Sequence, residues 1–262
     1  MLKLDAYTLK IIAVVGMVIS HIPYMFWGVF PTPVFLVMSA LGGLTFPIMA
    51  YFAVEGYRHT SNLKKYMLRL LVAGLVAIPF HLIVIGMTPL NIMFAIILGL
   101  LTLLAYDRIK HKVVFWILYV LIIPVFTFLF IEYMLMGNLM MLLYHIIKKE
   151  KIRRIVPSIV SGSLFILLAV FTIASINMFE AQGISIEEAR YITGLGRHLD
   201  LEFMYGALAF GVCTILAVPY LLSSYTGERG KVTPASKWLF YVVYPAHLAV
   251  LAGLGWLFGF VA

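Results

Sequence analysis

The sequence predicts an all-α fold, a polytopic membrane helix bundle of about nine transmembrane helices with its N-terminus in the cytoplasm and its C-terminus outside. Three observations carry this. Of 262 residues, 63% are apolar and 11% are charged, whereas a soluble domain carries roughly a quarter charged residues. The apolar residues gather into runs approaching ~20 residues, the length a helix needs to cross a ~30 Å hydrocarbon core. Lys and Arg fall in alternate connecting segments, which is the bias that orients membrane helices.

Nine apolar spans follow one another at 10–30, 34–54, 66–86, 89–106, 113–131, 133–147, 155–178, 201–222 and 238–260. The first is preceded by Lys3 and opens on Lys10, as a signal peptide would be. Its run is too long for one and no small-x-small cleavage site follows, so it reads as a retained helix. The second ends in "VEGYRHTSNLKKY", Val54–Tyr66, a basic segment. "MTP" separates the third and fourth, which carry His81 and Asn91 in their outer halves. The fifth and sixth meet in a tight turn near Glu132. A run of five bases from Lys148 to Arg154 precedes the seventh. Short polar or Pro/Gly connections throughout, with no strong internal repeat, predict one domain over 1–262.

The long outer loop is 180–199, "EAQGISIEEARYITGLGRHL". Ser185 followed three residues later by Glu188 is a capping-box start, and a short amphipathic helix lying on the outer surface follows from it. Two readings stand side by side, a cap over an external site and a plain connector.

The net charge of +8 does not point to nucleic acid. With the N-terminus inside, 17 of the 19 Lys and Arg residues are cytoplasmic, and Arg190 and Arg197 are outside. The charge therefore reports positive residues held on one face of a lipid bilayer. The single cysteine, Cys213, lies in an apolar span, so there is no disulfide framework. No HExxH, Walker loop, GxSxG or cysteine pair is present, so the chain carries no signature of metal chemistry, phosphate hydrolysis or a serine nucleophile.

An ionisable residue inside a membrane is costly and marks a functional site by default. His21 follows Lys10 by eleven residues, or ~16 Å of helix rise. Eleven steps of ~100° bring both onto one face. A cation at the cytosolic lip and a base near the midplane would line one slot, suited to a long ligand with an anionic head. A core histidine bonded to a neighbouring helix is the alternative. His247, in "FYVVYPAHL", lies ~14 Å from the start of the last span, at a depth approaching that of His21, with Tyr244 three residues before it. In "VEGYRHT", Glu55 shares a helical face with Arg58 and His59. Together with Arg69 the bases make a mouth that suits phosphate groups, with Tyr57 beside them. His111 and His145 lie near basic cytosolic segments and read as structural.

"LKIIAVVGMVISHI", "FPIMAYFAVEGYRHTSNLKKYMLRLL", "LNIMFAIILGLLTL", "YTGERGK" and "FYVVYPAHL" resemble, in order and across most of the chain, the TraX family of bacterial inner-membrane proteins. That family is named for the protein that N-acetylates F-type pilin. The Lys-x10-His spacing also resembles the first helix of the acyltransferase type-three superfamily, whose histidine is taken as catalytic. The resemblance implies a membrane acetyltransferase in the bacterial cytoplasmic membrane, with acetyl-CoA as cytosolic cosubstrate and an amine or hydroxyl acceptor. Under it His21 is the general base or forms a covalent acetyl-histidine, His247 and Glu55 assist, and Lys10, Arg58, His59 and Arg69 hold the CoA phosphates. Tyr244, Tyr57, His81 and Asn91 then face substrate. TraX-like chains commonly place Asp before this histidine. Here it is Ser20, so a carboxylate would have to come from Glu55 or another helix. The rival reading is a small-molecule or proton-coupled transporter, with intramembrane histidines as a relay and helices broken at Pro23, Pro47, Pro79 and Pro245.

Overall fold

The computed structural model describes residues 2–86, 90–128, 133–193, 199–231 and 233–261. Glu132, Arg197 and "MTP" at 87–89 lie outside the described residues. Among the described residues twelve helices form: α1 (Ala6–Met25), α2 (Thr32–Gly42), α3 (Thr45–His59), α4 (Leu63–Val84), α5 (Ile92–Arg108), α6 (Lys112–Phe128), α7 (Met134–Ile146), α8 (Glu150–Arg153), α9 (Val156–Ala181), α10 (Ile186–Thr193), α11 (Leu201–Ser223) and α12 (Pro234–Leu257). A parallel bridge joins Leu4 to Tyr225.

Among the described residues, six helical stretches have the length and hydropathy to cross a membrane: α1, α2 with α3, α4, α8 with α9, α11, and most of α12. The other three expected spans fall on α5, α6 and α7, helices of 17, 17 and 13 residues. The outward surface is oily, with Val113, Leu121, Phe171, Val250 and Trp256 exposed. This is the inverse of a soluble protein and suits hydrocarbon as the surrounding solvent.

Three of the four expected proline breaks do not occur. α1, α4 and α12 run through Pro23, Pro79 and Pro245. The span expected at 34–54 is instead divided at Gly43–Leu44, between α2 and α3. The reason is local. Pro47 has no N–H to give the carbonyl of Gly43, four residues back. That carbonyl accepts from the Thr214 hydroxyl of α11 at 3.0 Å instead. Thr45 just beyond the break donates to the Ala13 carbonyl of α1 at 3.1 Å. A polar side chain from a neighbouring helix thus satisfies the backbone where the helix changes course, and Thr45 ties the break to α1.

α1 stands at the centre, packed on α2, α3, α4 and α12, and α12 lies along α4. The Asp5 side chain caps α1, accepting from the Thr8 amide at 2.7 Å, and that bond holds the carboxyl below its ordinary range. α1 and α3 run antiparallel, since Thr45 meets Ala13 while Phe52 lies under Lys10.

The expected outer helix forms as α10, and Ser185 Oγ accepts from the Glu188 amide at 3.2 Å. Its inner side seats Ala189 in a second apolar cluster with Ala169, Ile176 and Met204. Arg190 pairs with Asp200 at 3.1 Å.

Among the described residues, α9 and α11 share the most extensive helix contact, and glycine lets them approach. A Cβ at Gly211 would sit 3.1 Å from the Gly162 carbonyl and 2.7 Å from Ile166 Cγ1. Small residues are how helices approach closely without a hydrophobic drive between them. Gly211→Leu should therefore destabilise the protein by about 1–3 kcal/mol, read as a lower melting temperature in detergent. Gly253→Leu, facing open space, should leave it unchanged.

Candidate active site

α1, α3, α4, α5 and α12 enclose a cavity of about 600 Å³ that opens at the end of the bundle carrying the N-terminus of α1. One stripe of α1 runs down its wall: Lys10 near the mouth, then Val14 and Met17. These positions are four and three apart, so they share a helical face. The next position on that stripe is His21, one turn beyond Met17.

His21 is buried against His247 of α12. The rings lie within 8° of parallel, with His21 Nδ1 and His247 Nε2 2.7 Å apart. The other nitrogen, His247 Nδ1, lies 2.9 Å from the Val243 carbonyl oxygen. A carbonyl only accepts, so His247 Nδ1 carries a proton. Neutral His247 then has its lone pair at Nε2, and His21 Nδ1 must donate to it. His21 is left with its lone pair on Nε2, the form a general base needs. The hydrogen-bond network thus assigns both tautomers.

The two histidines expected at matched depth are therefore brought together, and His81 joins them. It is buried on α4, with Nδ1 3.3 Å from the Tyr244 hydroxyl, and Tyr244 lines the deep end of the cavity. Beyond His21, away from the cavity, Tyr24, Phe203, Trp27 and Phe35 form an aromatic group, with Tyr24 6.2 Å from the His21 ring.

Ser20 takes no part in orienting His21. Its hydroxyl donates to the Met17 carbonyl of its own helix at 3.0 Å. Glu55 does not supply a carboxylate to His21 either. Phe52 lies at the level of Lys10 and Glu55 is one turn nearer the mouth, roughly 20 Å along the axis from His21. It lines the cavity mouth and accepts from Arg153 Nη1 at 2.7 Å, with Arg58 Nη1 at 3.4 Å and His59 Nε2 at 3.8 Å.

Three other expected site residues take different places. Arg58 does not line the cavity: its Nη2 donates to the Tyr144 and His145 carbonyls at 3.2 and 2.8 Å, closing the end of α7. Tyr57 points the other way, donating to Asp107 Oδ2 at 2.7 Å, while His145 holds Asp107 Oδ1 at 2.8 Å. Asn91 has both ends engaged, accepting from the Met93 amide at 3.1 Å and donating to the Gly74 carbonyl at 2.9 Å. His59 is at the rim and mostly exposed. Lys10 and Arg69 do line the mouth. The Lys10 ammonium stands 5.0 Å from the Phe52 ring and 5.3 Å from Phe240, and Arg69 stands 5.8 Å from Tyr241.

The sequence reading missed the rest of the mouth. Arg229 and Lys231 join Lys10 and Arg69 there, brought in by the "YTGERGK" segment. Its two glycines within four residues, between two spans, were the available signal. It also missed Arg153, whose Lys- and Arg-rich neighbourhood reads as an ordinary positive-inside loop. Arg153 is buried, and Glu150 engages both it and Arg154.

The family model described as TraX protein matches residues 5–255 of this chain. The probable fimbrial assembly protein FimC, serogroup H1, of Dichelobacter nodosus is 25% identical over 265 residues, which cover 94% of each chain. No solved structure matches significantly.

The Glu55–Arg153 pair makes a direct prediction. Arg153 is buried while Glu55 is part-exposed at the mouth with Arg58 still beside it, so losing Arg153 should cost about 1–3 kcal/mol in lost hydrogen bonds. Arg153→Ala should lower the melting temperature accordingly. Lys151→Ala, an exposed neighbour on the same short helix, should not change it.

Proposed function

This chain belongs to the TraX family, and from that premise we propose that it is a membrane acetyltransferase, moving an acetyl group from cytosolic acetyl-CoA to an amine or hydroxyl acceptor. In this reading nine spans cross a bacterial cytoplasmic membrane with the N-terminus inside. The cavity mouth then faces the cytosol, where the donor is found. The observation that carries the reading is the His21–His247 pair one turn beyond the deep wall of a cavity with a basic mouth.

The donor enters thioester first, its phosphates at the mouth among Lys10 and Arg69 and its acetyl group towards Tyr244. His21 Nε2 accepts the proton of the acceptor hydroxyl or amine as that atom attacks the thioester carbonyl. The C–S bond then breaks, and the thiolate leaves with the proton held at His21. His247 is the positioning residue. Its bond from Nδ1 to Val243 forces its Nε2 to accept, which fixes the His21 tautomer, and the same Nε2 can share the Nδ1 proton of the imidazolium that forms at His21. A second imidazole thus stands in for the carboxylate expected beside His21. Tyr244 is placed to donate to the developing oxyanion, with His81 setting its hydroxyl. The relative named as a fimbrial assembly protein makes a pilus subunit one acceptor to test.

The test is transfer of labelled acetyl from acetyl-CoA in membranes carrying each variant. His21→Ala should lower the rate by about 10²–10⁴. His247→Ala should lower it by about 10–100, as loss of an orienting partner does. Ser20→Ala should leave it unchanged. Full activity in His21→Ala would overturn the assignment.

A further inference from the structure

Residues 226–231 read as a loop between two spans, yet they are held at the mouth by the opposite end of the chain. Leu4 N–H donates to the Ser224 carbonyl at 2.9 Å, and Thr226 N–H donates back to the Leu4 carbonyl at 2.9 Å. Ala6 N–H donates to the Glu228 carbonyl at 2.9 Å. The base of the loop is held again from the other side, where Arg154 Nη1 donates to the Tyr225 carbonyl at 2.9 Å. These bonds make a strap from the start of α1 to the loop.

The path of the loop needs glycine at two places. Gly227 has φ +88° and Gly230 has φ +69°, a region L side chains rarely adopt. A Cβ at Gly230 would also collide with the Asp5 carboxylate. Held this way, the loop brings Gly227, Arg229 and Lys231 to the cavity mouth, facing Lys10 of α1 and Arg69 of α4. Four cations thus converge on one opening. Glu55 lines that opening, bonded to Arg153, the Asp5 carboxylate lies against Gly230, and Glu228 is the acid within the loop. A cluster of cations draws an anionic ligand to the mouth, and at Gly227, where nothing lies within 4 Å of the place a Cβ would take, the bare loop backbone allows its close approach.

We propose that residues 226–231, strapped to the first residues of the chain, are a phosphate-binding loop that holds the anionic end of a phosphorylated ligand at the cavity mouth. This deepens the acetyltransferase reading, since the loop then grips the nucleotide end of the donor while the acyl end reaches the histidines. The same chemistry would also hold the phosphate of an anionic lipid headgroup, and the two sources are separable by experiment.

The probe is adenosine 3′,5′-bisphosphate, the phosphorylated end of CoA without thiol or acyl group. Its binding is measured by calorimetry on the full chain in nanodiscs of neutral phosphatidylcholine. Saturable binding is expected, weakened about tenfold or more in Arg229→Ala and in Lys231→Ala, the loss of about one charge-assisted bond each. Both side chains are exposed, so folding is retained. Gly230→Ala keeps every charge but displaces the loop, and it should weaken binding similarly. The double change Lys148→Ala, Lys149→Ala removes two exposed charges elsewhere and should leave binding intact. In a second arm, the same variants are transferred to phosphatidylglycerol nanodiscs. Competition there that disappears in Arg229→Ala supports a phosphate loop filled by lipid. Absence of both nucleotide and lipid binding, or binding equal in all variants, overturns the proposal. His21→Ala should bind the probe normally. If the probe binds through the loop while wild type transfers no acetyl group, the acetyltransferase reading falls and the loop stands.

Discussion

A polar group inside hydrocarbon has to find its partner within the protein, because no water is there to supply one. Much of this bundle follows from that rule. The carbonyl that Pro47 leaves open at Gly43 is answered by Thr214 from another helix. Asn91 answers the Gly74 carbonyl and caps its own helix at once. His247 answers Val243 and then His21. Each of these bonds also fixes one helix against another or orients a side chain. The interactions that satisfy the backbone and buried side chains are therefore the ones that shape the cavity and its deep end.

The same rule makes the cavity electrically lopsided. At its mouth, where water is near, bases accumulate on α1, α4 and the loop after α11. At its inner end the ionisable groups are imidazoles and a phenol, which stay neutral at modest cost and can still exchange protons. A ligand with an anionic head and a neutral reactive tail matches this gradient in one orientation. Glu55 belongs to the mouth for this reason. Beside Arg153 it has an ion-pair partner at the mouth; beside His21 it would have been a carboxylate far inside the bundle.

Much of the site was legible because helices are periodic. The spacing of Lys10 and His21 put both on one wall, and both lie on the stripe that leads along the cavity. His247 at matched depth was legible from its distance to the start of its span. The errors have a common cause. "VEGYRHT" was read as one basic surface, whereas Arg58 and Tyr57 turn towards α7 and α5 and leave the cavity to Glu55 and His59. Neighbours along a helix diverge by ~100° per residue, and which side meets a cavity depends on helices far away in sequence. Ser20 was judged by the residue it replaces, although the partner of His21 arrives from position 247, 226 residues on.

The sequence by itself determined the class of protein, the helical segments, the charge asymmetry and the individual histidines, because hydropathy, periodicity and the cost of buried charge act along the chain. Tertiary structure alone decided the pairing of α1 with α12 that gives His21 its tautomer. It also decided the strap that carries Arg229 and Lys231 to the mouth, and the division of the second span at Gly43. Each of these rests on a hydrogen bond between groups distant in sequence, and no local pattern encodes which distant partner a buried polar group will find.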